Sequence, residues 1–406
     1  MTDKIYDVAV IGAGPSGVAA AISAANSGAD VLLIEKNGYV GGMSTAGLLN
    51  VWCGAAKGGI YGKIRAAVTE KRAVRHVYNP ETLKSLYLTM LSEAGVTLLL
   101  HSVFVNAETE NESIKHLNVL CGTDVEKIKA KVYIDSTGNG AVAKSAGVPY
   151  SKGRESDGRM QPMSLEFTVG GVDDERAVYP TFRTYPELQE KMKSYVAEGK
   201  IEEPCGHVII VEGFLPGTAF VNMTNVIGAD GTKAEDLTEA ELLTRRQVPQ
   251  IVNFLRECVP GYENCVLLQT ANTIGVRETL HFKGLYILNE NDLINGTVFE
   301  DWIARNVGAS FGNHNLEGSG ADKNNLPQKP TNYTVPYRSI LPTGVDNLLL
   351  NGRNISGTHM AHASFRMMPT CMAIGEGAGA AAAYAATNGV PLREVDVKNI
   401  QDGLAR

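Results

Sequence analysis

Tyr6-Asp7-Val8-Ala9-Val10-Ile11 runs straight into Gly12-Ala13-Gly14-Pro15-Ser16-Gly17, and these residues decide the fold. A small-residue segment, Val18 to Gly28, follows, and then the apolar run Val31-Leu32-Leu33-Ile34, which ends in Glu35. The order is strand, tight glycine turn, helix, strand, acidic residue, and each part has a task in holding a dinucleotide. Gly12 permits the turn, Gly14 lets a pyrophosphate approach the backbone, and Gly17 lets the helix pack closely on the sheet. With Ala13, Pro15 and Ser16 between the glycines, the helix N-terminus offers unpaired N–H groups and partial positive charge to phosphates. Glu35 can accept two hydrogen bonds from an adenosine ribose. An ordinary strand-turn-helix with incidental glycines is the plain alternative, and the acid at the second strand end weighs against it.

The first turn alone does not choose FAD over NAD. A second glycine turn, Lys36-Asn37-Gly38-Tyr39-Val40-Gly41-Gly42-Met43-Ser44, lies directly behind the acid. It suits a loop passing under a second phosphate and a ribityl chain. At this point the sequence resembles the glutathione-reductase-type FAD proteins and, within them, the broad FAD-dependent oxidoreductase family. The resemblance implies an α/β fold: an FAD-binding Rossmann-like three-layer domain with an inserted α+β substrate domain. It implies FAD as cofactor, contacted by Lys36, Gly41, Gly42, Met43, Ser44 and Val103 besides the first turn and Glu35.

Two distant segments extend the resemblance. Val132-Tyr133-Ile134-Asp135-Ser136-Thr137-Gly138 looks like the family's second FAD segment, which places Thr137 and Gly138 beside the cofactor. Asn347 to Gly357, with Gly352-Arg353 at its turn, looks like the C-terminal one. A helix is expected from Pro369, a residue suited to a first helical turn. Its small residues, Ala373, Gly375, Gly377, Ala378 and Gly379 onward, would let it lie close to a flat ring. The N–H groups of Met367 to Cys371, with Thr370 and Cys371 as contacts, would face the flavin edge that gains negative charge. Thr370→Pro should then remove a donor and cripple reduction.

Composition bounds the rest. A chain of 406 residues exceeds one core, so two domains are the default. Net charge is −7 without a basic cluster in the sequence, which argues against nucleic-acid binding. No signal peptide is read at Met1-Thr2-Asp3-Lys4, and no apolar run reaches membrane-spanning length. Six scattered cysteines form no CxxC, and no spacing suggests a metal. A reduced, cytoplasmic protein with a small-molecule substrate is expected, and a homo-oligomer stays open.

The expected layout is cofactor domain over 1–150, inserted substrate domain over 151–334, and cofactor domain again over 335–406. Helices are expected over 59–75, 80–94, 141–147, 187–199 and 237–258, the last capped by Thr238 and kinked or broken at Pro249. A hairpin is expected from Val103–Glu108 and Ile114–Cys121, turning at Asn111-Glu112. Lys131–Ser136 is a strand of the main sheet, and residues 306–334 read as an irregular loop.

On the substrate side, the catalytic candidates are His359, Arg366 and Arg277. His359 could move a proton, since its ordinary pKa lies near neutrality. Arg366 could clamp a carboxylate or hold charge near the flavin. For both, structural hydrogen bonding within the loop is an equal alternative, and His362 ranks below them. Arg277-Glu278 resembles a family pair at the domain junction, where a buried salt bridge is the favoured reading. Arg154-Glu155 and Gln161 could face the flavin, and His314 reads as a surface histidine. No histidine follows the second turn, so noncovalent FAD is expected. No CxxxxC pair and no second GxGxxG occur, leaving oxygen, a quinone or another protein as electron acceptor. The expected activity is hydride transfer between a small polar organic substrate and flavin N5. The rivals are a non-redox or sacrificial dinucleotide, as in thiazole-forming or RNA-modifying relatives, and an inactive FAD-binding protein.

Overall fold

The structure, a computed structural model, describes residues 4–308, 311–320, 322 and 330–404. β1 (Ile5–Ile11) is apolar on both faces, the pattern of a parallel strand covered above and below. At Gly12 the backbone turns with φ +97°, and a Cβ there would strike the Ser136 carbonyl. α1 (Pro15–Asn26) opens on a proline, and β2 (Val31–Ile34) pairs in parallel with β1.

α2 (Gly59–Val68) stops short of the expected residue 75. Val68 and Thr69 are β-branched, and the chain enters a small hairpin of β3 (Thr69–Lys71) and β4 (His76–Tyr78) instead. α3 (Pro80–Glu93) is capped by Asn79, whose side chain accepts from the Glu81 N–H at 2.9 Å. β5 (Thr97–Leu99) pairs in parallel with β2. The expected hairpin is β6 (Ser102–Glu110) with β7 (Ser113–Cys121), turned by Asn111 and Glu112 at φ +50° and +60°. β8 (Asp124–Asp135) starts earlier than Lys131 because its first half is a third strand of that layer, antiparallel to β7. Its second half runs parallel to β1 and so ties the hairpin layer to the main sheet. α4 (Ala141–Ser145) follows.

β9 (Tyr150–Lys152) leads away from this sheet. A second, antiparallel sheet has the order β11-β12-β10-β13, formed by β10 (Phe167–Gly170), β11 (Ile210–Glu212), β12 (Thr218–Val221) and β13 (Val266–Thr270). α5 (Pro186–Ala197) and α6 (Ala234–Cys258) share its core. α6 corrects the expected cap and excludes a break at Pro249. Thr238 lies inside it, its hydroxyl donating to the Ala234 carbonyl at 2.8 Å, and the start is carried by Glu235 and Asp236 in the first turn. The helix also runs through Pro249 to Cys258.

β14 (Leu280–Phe282) pairs with β9, and α7 (Glu290–Asn295) follows. β15 (Trp302–Val307) pairs antiparallel with β16 (Tyr333–Pro336), so paired strands bracket the expected loop, part of which lies outside the described residues. β17 (Leu348–Leu350) joins β8 in parallel, and α8 (His359–Phe365), α9 (Met368–Asn388) and α10 (Lys398–Leu404) are the last helices described.

One hydrophobic core gathers residues from Tyr6 to Val148 and from Leu280 to Ile400. Another gathers Leu165 to Ala271, with Leu48. The site lies where the strand ends of the first meet the second. Among the described residues no helix is long and apolar enough to cross a membrane.

Candidate functional site

Backbone turns from four parts of the chain meet at the N-terminus of α1. The Gly41 N–H donates to the Ala13 carbonyl at 2.7 Å, seating the second glycine turn on the first. Asn351 donates from Nδ2 to the Ser16 carbonyl at 3.1 Å and to Ser136 Oγ at 2.8 Å. Gly352 turns at φ +74°, where a Cβ would meet the Ser16 hydroxyl. Gly17 has no room for a Cβ against the Gly12 carbonyl, as its place in the motif requires. Gly14, by contrast, caps α1 without any side-chain bond, and a Cβ on it would meet nothing within 4 Å. An uncapped helix N-terminus facing open space fits a pyrophosphate.

The individual side chains are placed as follows. Glu35 accepts the Ala13 N–H at 2.8 Å and two N–H groups of Asn37 at 2.9 and 2.7 Å. One of its lone-pair sites therefore remains for a ribose hydroxyl, where the sequence suggests two. Lys36 is exposed, and Val103 is 43% exposed beside Ser102, whose N–H donates to the Glu35 carbonyl at 3.0 Å. Met43 is half-buried, and Ser44 is buried and donates to the Gly41 carbonyl at 2.7 Å. The Thr137 hydroxyl donates to Asp135 at 2.7 Å and accepts the Ala141 N–H at 2.8 Å, so it starts α4. Gly138 leaves room for the Arg353 guanidinium.

α9 has no side-chain cap at Met367, which leaves its first N–H groups open. Cys371 Sγ donates to the Phe365 carbonyl at 3.4 Å, and burial pushes its thiol up to about 12. The small residues further along α9 have a different use from the one expected. Gly375 and Gly379 lie against the Ser16 and Ala20 carbonyls of α1, and Gly377 lies against Ile303 of β15. Ser23 donates to the Glu376 carbonyl at 2.6 Å across the same seam. They make a close helix pair rather than a platform for a ring.

Between the two cores lies a group of arginines. Arg353 donates to the Val276 and Arg277 carbonyls at 2.6 and 3.1 Å and to Asn139 at 3.1 Å. Arg277 donates to the Pro162 carbonyl at 2.5 Å and to Ser164 Oγ at 2.8 Å. Arg366 donates to the Gly312 carbonyl at 2.6 Å, while its Nε is buried without a partner. Burial, then the positive charge of Arg366, draws Arg277 down to about 10. Burial also draws Arg353 down to about 10 and lowers Arg366. Glu166 is 6% exposed, and burial pushes it up to about 8 despite Arg277. Cys53 is exposed; removal from water by the surrounding protein and then Glu166 raise its thiol. Ser356 Oγ, His362 Nδ1, Arg366 Nε and Thr370 Oγ1 are all buried and unpartnered within one short stretch. Such a concentration fits a polar ligand.

Arg277 and Glu278 have different partners, so the expected buried salt bridge is formed by Glu278 with two histidines. Glu278 Oε1 lies 2.7 Å from both His281 Nε2 and His359 Nδ1, and Oε2 accepts the Gln161 N–H at 2.7 Å. Burial opposes ionisation of Glu278, but the bonds from His281 and His359 hold it well below the usual carboxylate range. Glu155 accepts the His359 backbone N–H at 2.8 Å, whereas Arg154 pairs with Asp157. Gln161 accepts the His314 N–H at 2.8 Å and donates to Asn313. His314 is only partly exposed, and burial lowers its pKa well below the ordinary value, against the surface reading. His362 packs edge-on against His281, and burial likewise lowers it far. Sequence reasoning missed His281, Glu166 and Cys53; the Glu278-x-x-His281 spacing was the available signal for the first.

A model of FAD dependent oxidoreductases matches residues 7–404. The chain belongs to the FAD-dependent oxidoreductase family. It is an FAD-dependent enzyme by that membership. No curated protein matches it. Solved structures resemble it at low identity and bear on the fold alone. A flavin-dependent brominase variant has a TM-score of 0.51 at 12% identity, over 98% of this chain and 84% of its own. A geranylgeranyl bacteriochlorophyll reductase-like protein from Thermoplasma acidophilum has 0.50 at 13%, over 95% and 79%. A p-nitrophenol 4-monooxygenase from Pseudomonas putida has 0.50 at 11%, over 95% and 81%.

Proposed function

We propose that this enzyme moves a hydride between a carbon of a small polar organic substrate and FAD, beside the arginines that lie between its two cores. FAD, when bound, supplies the two-electron chemistry at flavin N5. Residues 1–150 and 335–406 are the cofactor side and 151–334 the substrate side, with β14 to β16 packed back on the first core. The uncapped first turn of α1 and the Gly41-Gly42 turn suit the phosphates, and Glu35 suits the ribose. The open N–H groups of α9 and the Thr370 hydroxyl suit a group that gains negative charge.

On the substrate side, the three guanidinium groups of Arg277, Arg353 and Arg366 outweigh the two carboxyl groups of Glu278 and Glu166. The excess of positive charge favours an acidic substrate. Arg366 can clamp its carboxylate, and His359 can take or give a proton. The observation that carries this reading is Arg366 itself: a guanidinium with a buried, unpartnered Nε, four positions before the unpartnered Thr370 hydroxyl.

The test is anaerobic mixing of the holoenzyme with hydroxy acids, amino acids and sugars, and of the pre-reduced holoenzyme with enoates. One class is expected to bleach, or for enoates restore, the flavin band, more slowly when the transferred hydrogen is deuterium. Failure of every compound, or bleaching without an isotope effect, contradicts hydride transfer.

A further inference from the structure

Glu278 is one carboxylate shared by two imidazoles, and its surroundings fix where the protons sit. His281 Nδ1 lies 3.0 Å from the Gly357 carbonyl, which can only accept, so Nδ1 carries a proton. Its Nε2 lies 2.7 Å from Glu278 Oε1, and an ionised carboxylate also only accepts. Both nitrogens of His281 are then donors, as in an imidazolium. The same oxygen takes His359 Nδ1 at 2.7 Å, so that nitrogen is protonated too. His359 Nε2 faces the Gln161 side-chain nitrogen at 3.5 Å. The Gln161 amide is oriented by its other end, because its oxygen accepts the His314 N–H. One hydrogen of that amide nitrogen goes to Asn313, and the second faces His359 Nε2 at long range, a site suited to a lone pair.

We propose that Glu278 is a positioning residue that holds His359 as the neutral Nδ1–H tautomer, with a lone pair at Nε2, and keeps His281 as an imidazolium. The proposal rests on the reading of His359 as the proton-moving group. His281 and Glu278 form a buried ion pair within β14 and the segment before it, and His359 at the start of α8 is its third member. Second-site hydrogen bonds of this kind fix ring tautomers and raise ring basicity. Among the described residues, other charged or titratable groups facing the cluster include Glu155 at the His359 backbone, His362 against His281, Asp322 on Asn313, and the positive charges of Arg353 and Arg366.

The experiment is nitrogen NMR of holoenzyme carrying ¹⁵N-histidine, read for which ring nitrogens bear protons. One ring is expected to show both N–H groups, and one a protonated Nδ1 with a bare Nε2. In Glu278→Gln both signatures should collapse. The bleaching rate should fall roughly 10- to 100-fold with a shifted pH profile, a shift that a merely structural role would not produce. Glu278→Asp should restore part of the rate. If neither signature is present in the unsubstituted protein, or both persist in Glu278→Gln, the proposal is overturned. Should Glu278→Gln not fold, the unsubstituted spectra decide alone. The spectra need no turnover, so failure of hydride transfer and failure of this proposal are told apart.

Discussion

The cradle around α1 and the cluster around Glu278 lie in one enzyme but are made of different material. The cradle is backbone: glycines at 12, 17, 41, 42 and 352 whose missing side chains let turns touch. The cluster is side chain: Glu155, Gln161, Glu278, His281, Asn313 and His359, brought from segments far apart in sequence. A backbone site fails when a side chain is added. A side-chain site fails when a functional group is changed at constant size. The two should therefore separate under mutation.

The largest effect is expected from adding a methyl group to the cradle. In Gly17→Ala the new Cβ collides with the Gly12 carbonyl, which should cost about 3 kcal/mol or more. A lowered urea midpoint and a flavin-to-protein ratio near zero are expected. Arg366→Lys comes next. It keeps charge but loses the planar fork, so bleaching should slow about 10- to 100-fold while FAD stays bound. Stopped-flow absorbance checks this.

Glu166 gives a smaller, pH-dependent effect. Burial lifts its folded pKa from 4.5 to about 8. Between those values the unfolded chain has released the proton and the folded chain keeps it. Stability should therefore fall as pH rises from 4.5 to about 8, by at most about 5 kcal/mol. Glu166→Gln should flatten that slope in urea titrations at the two ends of the window. The smallest effect belongs to Thr370→Val, which removes one unpartnered hydroxyl at constant shape. Stability should change by less than about 1 kcal/mol, and the flavin midpoint potential should fall, because the group that gains negative charge loses one donor.

The contrast also explains what could be read in the sequence. The first turn, Glu35 and the second turn were legible because glycine at a positive φ leaves a mark at one position, within a few dozen residues. The Asn111-Glu112 turn and the start of α3 at Asn79-Pro80 were legible for the same local reason. The use of Gly375 and Gly379 was not, because a small residue announces close approach without naming the partner. Nor was the partner of Glu278. Its neighbour Arg277 offers an obvious salt bridge, and only the crossing of β14 with the start of α8 sends the carboxylate to two histidines. Glu166 gave no signal, since its raised pKa comes from burial that only the packed second sheet creates.

The central claim is that one region holds FAD and another does the chemistry. The most direct test measures flavin-to-protein ratio and anaerobic bleaching rate side by side in Gly17→Ala and Arg366→Lys. The account predicts that the first loses its flavin, and that the second keeps it while losing about 10- to 100-fold in rate. If Arg366→Lys loses flavin as readily as Gly17→Ala, the arginine belongs to the cradle and the division is contradicted.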